Sequence, residues 1–278
     1  MPDPIQPNSA RHDGVALLYG MVTIATAAGR RLLAAFSPEA RPHSRDAMLA
    51  AVRRNEEIAC DGLRDGLAAL RPGAAWLDSE RESEQLPDGE WWVVDPVEGN
   101  VNHVHGLRDW GVTITLVRDR EPVATVVHQP LDSLTWTAFR GGGARLNGQL
   151  IHASQKSHLD AAIATTGQAE AGQFETHRAI GHSVAAMLDR VLLVRMAVPS
   201  TFPMLRLACG QDDVFWQYAP VLPGIAAGLL MVTEAGGIAS RIDGTPWQPG
   251  APDIVLAAPG LHGAAVDVLR ACHLREHA

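Results

Sequence analysis

Residues 91–106, WWVVDPVEGNVNHVHG, join a short apolar run to a cluster of acids, amides and histidines. Trp91 to Val94 is the length of a short buried strand, and Asp95-Pro96 closes it with a turn signal. Pro96 stiffens the exit and Gly99 permits a tight approach. A carboxylate at the end of a buried strand is costly unless something pairs with it. Asp95 and Glu98, three apart on such a turn, can converge on one cation. A helix beginning at Gly99-Asn100 would turn free N–H groups toward an anion. Metal and anion on one turn point to phosphate chemistry.

The rest of the chain sets the bounds. It has 278 residues, 46% hydrophobic and 19% charged, with formal net charge −8. That is enough for one large or two small domains with a sizeable core. The apolar fraction excludes wholesale disorder. Net acidity argues against a nucleic-acid coat or an anionic-membrane binder, and most of the 31 carboxylates are expected on solvated surface. Cys60, Cys209 and Cys272 form neither a disulfide framework nor a zinc spacing, which suits a reducing cytosol. No apolar run approaches the roughly 20 residues that cross a bilayer. Met1 to Ala10 lacks the pattern of a secretory signal. A cytoplasmic protein is expected. Lys156 is the only lysine, a compositional bias that says little about function.

Before the central stretch, Val15–Phe36 and Ala47–Leu70 have helical spacing, with Arg71-Pro72-Gly73 ending the second. After it, Val112–Val117 and Val123–His128 form a strand pair, with Thr135–Phe139 as a third strand. Gly141-Gly142-Gly143 and Asn147-Gly148 mark a hairpin-like loop. No Lys-[ST] follows these glycines, so they make a turn, not a phosphate loop. An internal boundary here divides the chain into 1–143, α+β, and 144–278, α/β. In the second half strands at 162–166, 194–198, 214–217 and 254–258 alternate with helices at 174–193, 200–209, 225–235 and 261–272.

DPVEGNVNHVHG, residues 95–106, resembles the signature of the inositol monophosphatase family, roughly D-P-[IV]-D-G-T-x-N-[FY]-V-H-G. Three more motifs follow the family order. Trp76-Leu77-Asp78-Ser79-Glu80 is similar to the segment ending in Gly-Glu-Glu. Ala144-Arg145-Leu146-Asn147-Gly148 is similar to its G-A-x-x-N-G hairpin. Ala226-Ala227-Gly228 through Glu234-Ala235-Gly236-Gly237 is similar to its W-D-x-A-A-G…E-A-G-G helix. The resemblance spans about residues 15–270. It implies an α/β fold in αβαβα layers with a pocket between the halves, a homodimer, and Mg²⁺-dependent hydrolysis of small phosphate monoesters.

Carried over residue by residue, the resemblance makes Glu80, Asp95 and the Val97 carbonyl metal ligands, with Glu98 standing one methylene longer than the family aspartate. Gly99 and Asn100 N–H groups would face the anionic group of the substrate. Asn100 stands for the motif threonine. Glu56, in Val52-Arg53-Arg54-Asn55-Glu56, stands for an aspartate that helps activate water. Ser200, Thr201 and Gln217 would contact the rest of the substrate, Gln217 near the place of a substrate-binding glutamate. Gly224 stands where the family has the aspartate of Trp-Asp, and glycine offers no ligand atom. Loss of that charge weakens a second metal by about two to three orders of magnitude, at roughly 4 kcal/mol for a charge near 4 Å. The expectation is therefore one Mg²⁺ rather than two or three, or none. Arg53 and Arg81 stand beside the altered positions, where guanidinium could grip phosphate in place of a metal's charge or simply point to solvent.

Other candidates have plainer readings. His103 and His105 share a face if extended, and with His128 could form a metal or acid/base site. His105 already matches the motif. Asp212-Asp213 reads as a surface cap. The functional expectation is a divergent phosphatase of a small metabolite. The alternatives are a repurposed homologue with an impaired metal site and non-hydrolytic chemistry, or a non-catalytic binding or regulatory module.

Overall fold

The computed structural model describes residues 7–77, 86–169 and 171–276. The chain divides into two compact units: of the described residues, the first holds 7–77 and 87–150, and the second holds Leu86 together with those from Ile151 onward.

The first unit opens with α1 (Pro7–Ala35), followed by α2 (Arg45–Cys60) and α3 (Leu63–Leu70). The helical pattern over 47–70 is two helices, because Gly62 takes φ +66° between them, a conformation that costs glycine nothing. Ser44 caps α2 by accepting from the Ala47 amide at 3.1 Å. Arg31 of α1 finishes its other end. Arg31 Nε donates to Ile58 O at 2.9 Å and Nη2 to Ala59 O at 3.2 Å, with Asp61 O also accepting. A cation on those carbonyls offsets the helix dipole.

A seven-stranded sheet follows the sequence order β1 (Ala75–Trp76), β2 (Glu90–Glu98), β3 (Gly111–Arg118), β4 (Glu121–Gln129), β5 (Leu134–Phe139), β6 (Gly143–Leu146), β7 (Gln149–Leu150). β1 runs parallel to β2 and the other pairs are antiparallel. The division falls after β7 because β6 and β7 continue this sheet. Met21, Ala25, Ala28 and Leu32 of α1 pack on Trp92, Val112, Ile114, Leu116 and Val126. Glycine lets α1 lie close. A Cβ at Gly29 would stand 2.6 Å from His128 Cδ2.

The second unit carries a five-stranded sheet ordered β11-β12-β10-β8-β9. Its elements are β8 (Ile163–Thr166), α5 (Phe174–Leu188), β9 (Leu193–Met196), α6 (Thr201–Ala208), β10 (Val214–Tyr218), α7 (Leu222–Glu234), β11 (Ile238–Ser240), β12 (Asp253–Ala257) and α8 (His262–Glu276). β8 is parallel to both β9 and β10, and β12 is antiparallel to β10 and β11. β11 has no counterpart in the sequence reading; Gly236-Gly237 stops α7, and three residues suffice to add an edge.

Asp212-Asp213 is not a surface cap. Both residues are buried, Asp213 completely. Asp213 accepts from Ser154 Oγ at 2.6 Å, Lys156 Nζ at 2.7 Å and the Ile163 amide at 2.8 Å. Asp212 accepts from Arg206 Nε at 2.9 Å and faces Arg195 at 3.5 Å. The pair ties the segment entering β8 to the start of β10, and enough donors converge to make burial tolerable.

Candidate active site

β2 runs through Pro96 to Glu98, and its register with β3 is broken once. Asp95 opposes Thr113 and Glu98 opposes Gly111. One residue more stands on β2 than on β3 between these pairs, which is a bulge. In a regular strand, residues three apart face opposite sides. The extra residue reverses that parity and puts both carboxylates on the face of Thr113 and Gly111, away from the α1 layer. Glu98 is 4% exposed and Asp95 half-buried. Asp95 Oδ1 accepts from the Val97 amide at 2.9 Å. Gly99, at φ +75°, then turns the chain into α4 (Asn100–Val104).

A polar chain pins α4 to its neighbours. Asn100 Nδ2 donates to Val52 O at 3.0 Å. Asn100 Oδ1 accepts from Asn55 Nδ2 at 2.9 Å. The same nitrogen lies 2.9 Å from His103 Nδ1, and His103 Nε2 lies 3.0 Å from Leu32 O. The His103 ring sits 5.3 Å from that of Phe36 and 4.6 Å from that of Trp110, edge-on to both. Burial pushes its proton affinity down, with the Leu32 carbonyl opposing.

The residue that meets Asn100 is therefore Asn55, while Glu56 and Arg53 are exposed on α2. Sequence reasoning missed Asn55, although a signal existed. Val52, Asn55 and Ala59 share one stripe of α2, and a polar side chain on a buried stripe needs a partner. Glu80 and Arg81 lie outside the described residues. Val97 is buried in the core. His103 and His128 do not join. His128 Nδ1 pairs with Thr135 Oγ1 at 2.9 Å under α1, and His105 Nδ1 bonds Val101 O at 2.8 Å. Among the described residues no three of His, Cys, Asp and Glu gather. Asp95 and Glu98 are hard oxygen donors on one face, a donor set that fits Mg²⁺ rather than a soft metal.

In the second unit, β8 leads outward through α5 to β9, whereas β10 leads the other way through α7. The carboxyl ends of β8 and β10 thus flank a switch point, where open α/β sheets place ligands. Ser200, heading α6, donates to Gln217 Oε1 at 2.8 Å. Gly167 follows β8, and a Cβ there would stand 2.9 Å from Ser200 Oγ and 3.2 Å from Gln217. Ser200, Gln217 and Gly167 therefore converge. Thr201 beside them is buried. Gly224 lies in the first turn of α7, its amide donating to Val221 O at 3.1 Å. A Cβ there would meet only Val221 Cγ2, at 3.6 Å.

Helix-flanked mixed sheets, with a bulged acidic turn on one and a switch-point cluster on the other, define a layered α/β protein. Residues 16–274 match the model of the inositol monophosphatase family, and the chain belongs to that family. It is 31% identical over 183 residues to the inositol-1-monophosphatase of Rhizobium meliloti, spanning 66% of this chain and 68% of that protein. It is 32% identical over 190 residues to inositol monophosphatase 2 of Solanum lycopersicum, spanning 66% and 70%. The structure of extragenic suppressor protein suhB from Bartonella henselae superposes with TM-score 0.73 at 25% identity, over 92% of this chain and 99% of that one. An Anabaena inositol monophosphatase shares the fold at TM-score 0.76 and 22% identity, over 91% and 95%. These relatives support a phosphatase-type function.

Proposed function

We propose that this protein is a Mg²⁺-dependent phosphatase of a small phosphate monoester. The observation that carries the reading is the bulge in β2, which turns Asp95 and Glu98 to one face. Asp95, Glu98 and the Val97 carbonyl, with Glu80, would hold the ion. When bound, Mg²⁺ supplies Lewis-acid polarisation of a phosphoryl oxygen. Gly99 and Asn100 N–H groups face the phosphate. Within the second unit, Ser200, Thr201 and Gln217 would offer polar contacts to a small ligand. Ser200 already occupies Gln217 Oε1, so Gln217 offers its NH₂ donors to ligand oxygens.

One observation favours the repurposed reading. Asn55 and Asn100 are amides, which orient a water but cannot take its proton, and Gly224 offers no carboxylate. Room at position 224 makes the question testable. Phosphate release from a panel of sugar, polyol and nucleoside monophosphates is measured with Mg²⁺ titrated from zero, for wild type and Gly224→Asp. Mg²⁺-dependent release, raised by the added carboxylate, supports the phosphatase. No release by either chain from any substrate overturns it.

A further inference from the structure

The polarity of the chain Leu32–His103–Asn55–Asn100–Val52 is set from its two ends. A carbonyl oxygen only accepts. His103 Nε2 must therefore carry a proton for Leu32 O, which leaves Nδ1 as an acceptor. Asn100 Nδ2 must donate to Val52 O, which turns its Oδ1 toward Asn55. Asn55 thus meets two acceptors with one NH₂, and its two protons match them. Rotating Asn55 by half a turn would set its oxygen against both.

We propose that His103 is a positioning residue: through Asn55 it holds Asn100, and with it the turn from Asp95 to Gly99, onto α2, and its protonation releases that hold. This rests on the reading of that turn as the phosphate site. A protonated imidazole carries donors at both nitrogens. Nδ1–H then faces the Asn55 NH₂, donor against donor, and the link to Asn100 cannot survive in its present form. The groups around the ring are uncharged: the Leu32 carbonyl from α1, the Phe36 ring just past its end, Asn55 from α2, and Trp110 beyond α4. The charged neighbours on these elements turn elsewhere. Arg31 binds the end of α2. Arg53, Arg54, Glu56 and Glu57 are exposed, and so are Arg30 and Asp109. Asp95 and Glu98 share the face of Thr113 and Gly111.

The test compares wild type, His103→Phe and His103→Gln. It reads pH–rate profiles and hydrogen exchange of the α4 amides, where the His103 amide donates to Gly99 O at 3.1 Å. Phenylalanine keeps the ring packing and removes both hydrogen bonds. It is expected to lower kcat at least about tenfold, with KM within about twofold, and to speed α4 exchange at least about tenfold. Glutamine donates to Leu32 O, accepts from Asn55 and does not titrate. It is expected to recover kcat to within about threefold and to lack the acid limb seen in wild type. Unchanged kinetics in folded His103→Phe, or the same acid limb in His103→Gln, overturns the proposal. If wild type releases no phosphate, the phosphatase reading fails. The exchange comparison then decides the positioning claim by itself: faster exchange in His103→Phe upholds it, equal exchange overturns it.

Discussion

Asn55 Nδ2 stands 2.9 Å from Asn100 Oδ1, so α2 meets the helix after the acidic turn through an amide rather than through Glu56. Asn55→Asp replaces the shared NH₂ by a buried acceptor facing two acceptors. It is expected to destabilise the protein by about 2–4 kcal/mol at neutral pH. The loss should shrink in acid, where His103 protonates and donates to the new carboxylate. Glu56→Gln, on an exposed position, should stay within about 0.5 kcal/mol. Urea unfolding of both variants at pH 8 and pH 5 checks this.

The acid side of the stability curve follows from burial. His103, His128 and His262 are all held below the ordinary value of 6.5, chiefly by desolvation. The folded state binds fewer protons than the unfolded chain, so stability is full above about 6.5 and falls as pH drops from there toward the folded values. A second loss comes lower. Hydrogen bonds from Arg71, then from Arg118, hold Glu90 at about 2 against an ordinary 4.5. Its contribution is present above 4.5 and disappears as pH falls to about 2. Thermal unfolding across pH 2 to 8 should show both steps, and Glu90→Gln should remove the lower one.

Gly29 sets two effects against each other. Alanine improves helix propensity by about 1 kcal/mol, yet its Cβ would sit 2.6 Å from His128 Cδ2 and 2.9 Å from Pro130 Cγ. Overpacking of this kind costs about 1–3 kcal/mol. The ring is held on β4 and the buried proline opens the turn that follows it, so destabilisation is expected to win. Calorimetric melting of Gly29→Ala gives the sign.

Asp213 is a fully buried acid with three donors. Asp213→Ala strands the Ser154 hydroxyl and the Ile163 amide, and is expected to cost about 3–5 kcal/mol. Lys156→Met leaves the acid its two other donors and should cost less, with the difference measured by chemical denaturation.

Local chemistry was legible in the sequence, and long-range partnership was not. The Trp91–Val94 strand is written in consecutive residues, and so is the alternation of strand and helix beyond Ile151; the turn expected at Asp95-Pro96 is not there, because β2 runs on to Glu98 and the chain turns at Gly99. The break at Gly62 was hidden because apolar spacing continues across it, and only a positive φ marks the turn. The one-residue difference between Glu56 and Asn55 is a helical phase of about 100°, which a motif comparison does not resolve when the motif itself has changed. Asp213 looked like a surface acid because Lys156 and Ser154, which make its burial possible, stand 57 and 59 residues upstream. The bulge between Asp95 and Glu98 has no local spelling beyond Pro96. Its effect on which way the acids face appears only in the register with β3.

Asp95 and Glu98 are proposed to form a working phosphate-transfer site. The most direct measurement is the rate of phosphate release from the best monoester substrate, in saturating Mg²⁺, by wild type and by Asp95→Asn. A missing ligand carboxylate should lower kcat by about a hundredfold or more, in a protein whose unfolding transition is unchanged. Equal rates from the two proteins would contradict the assignment.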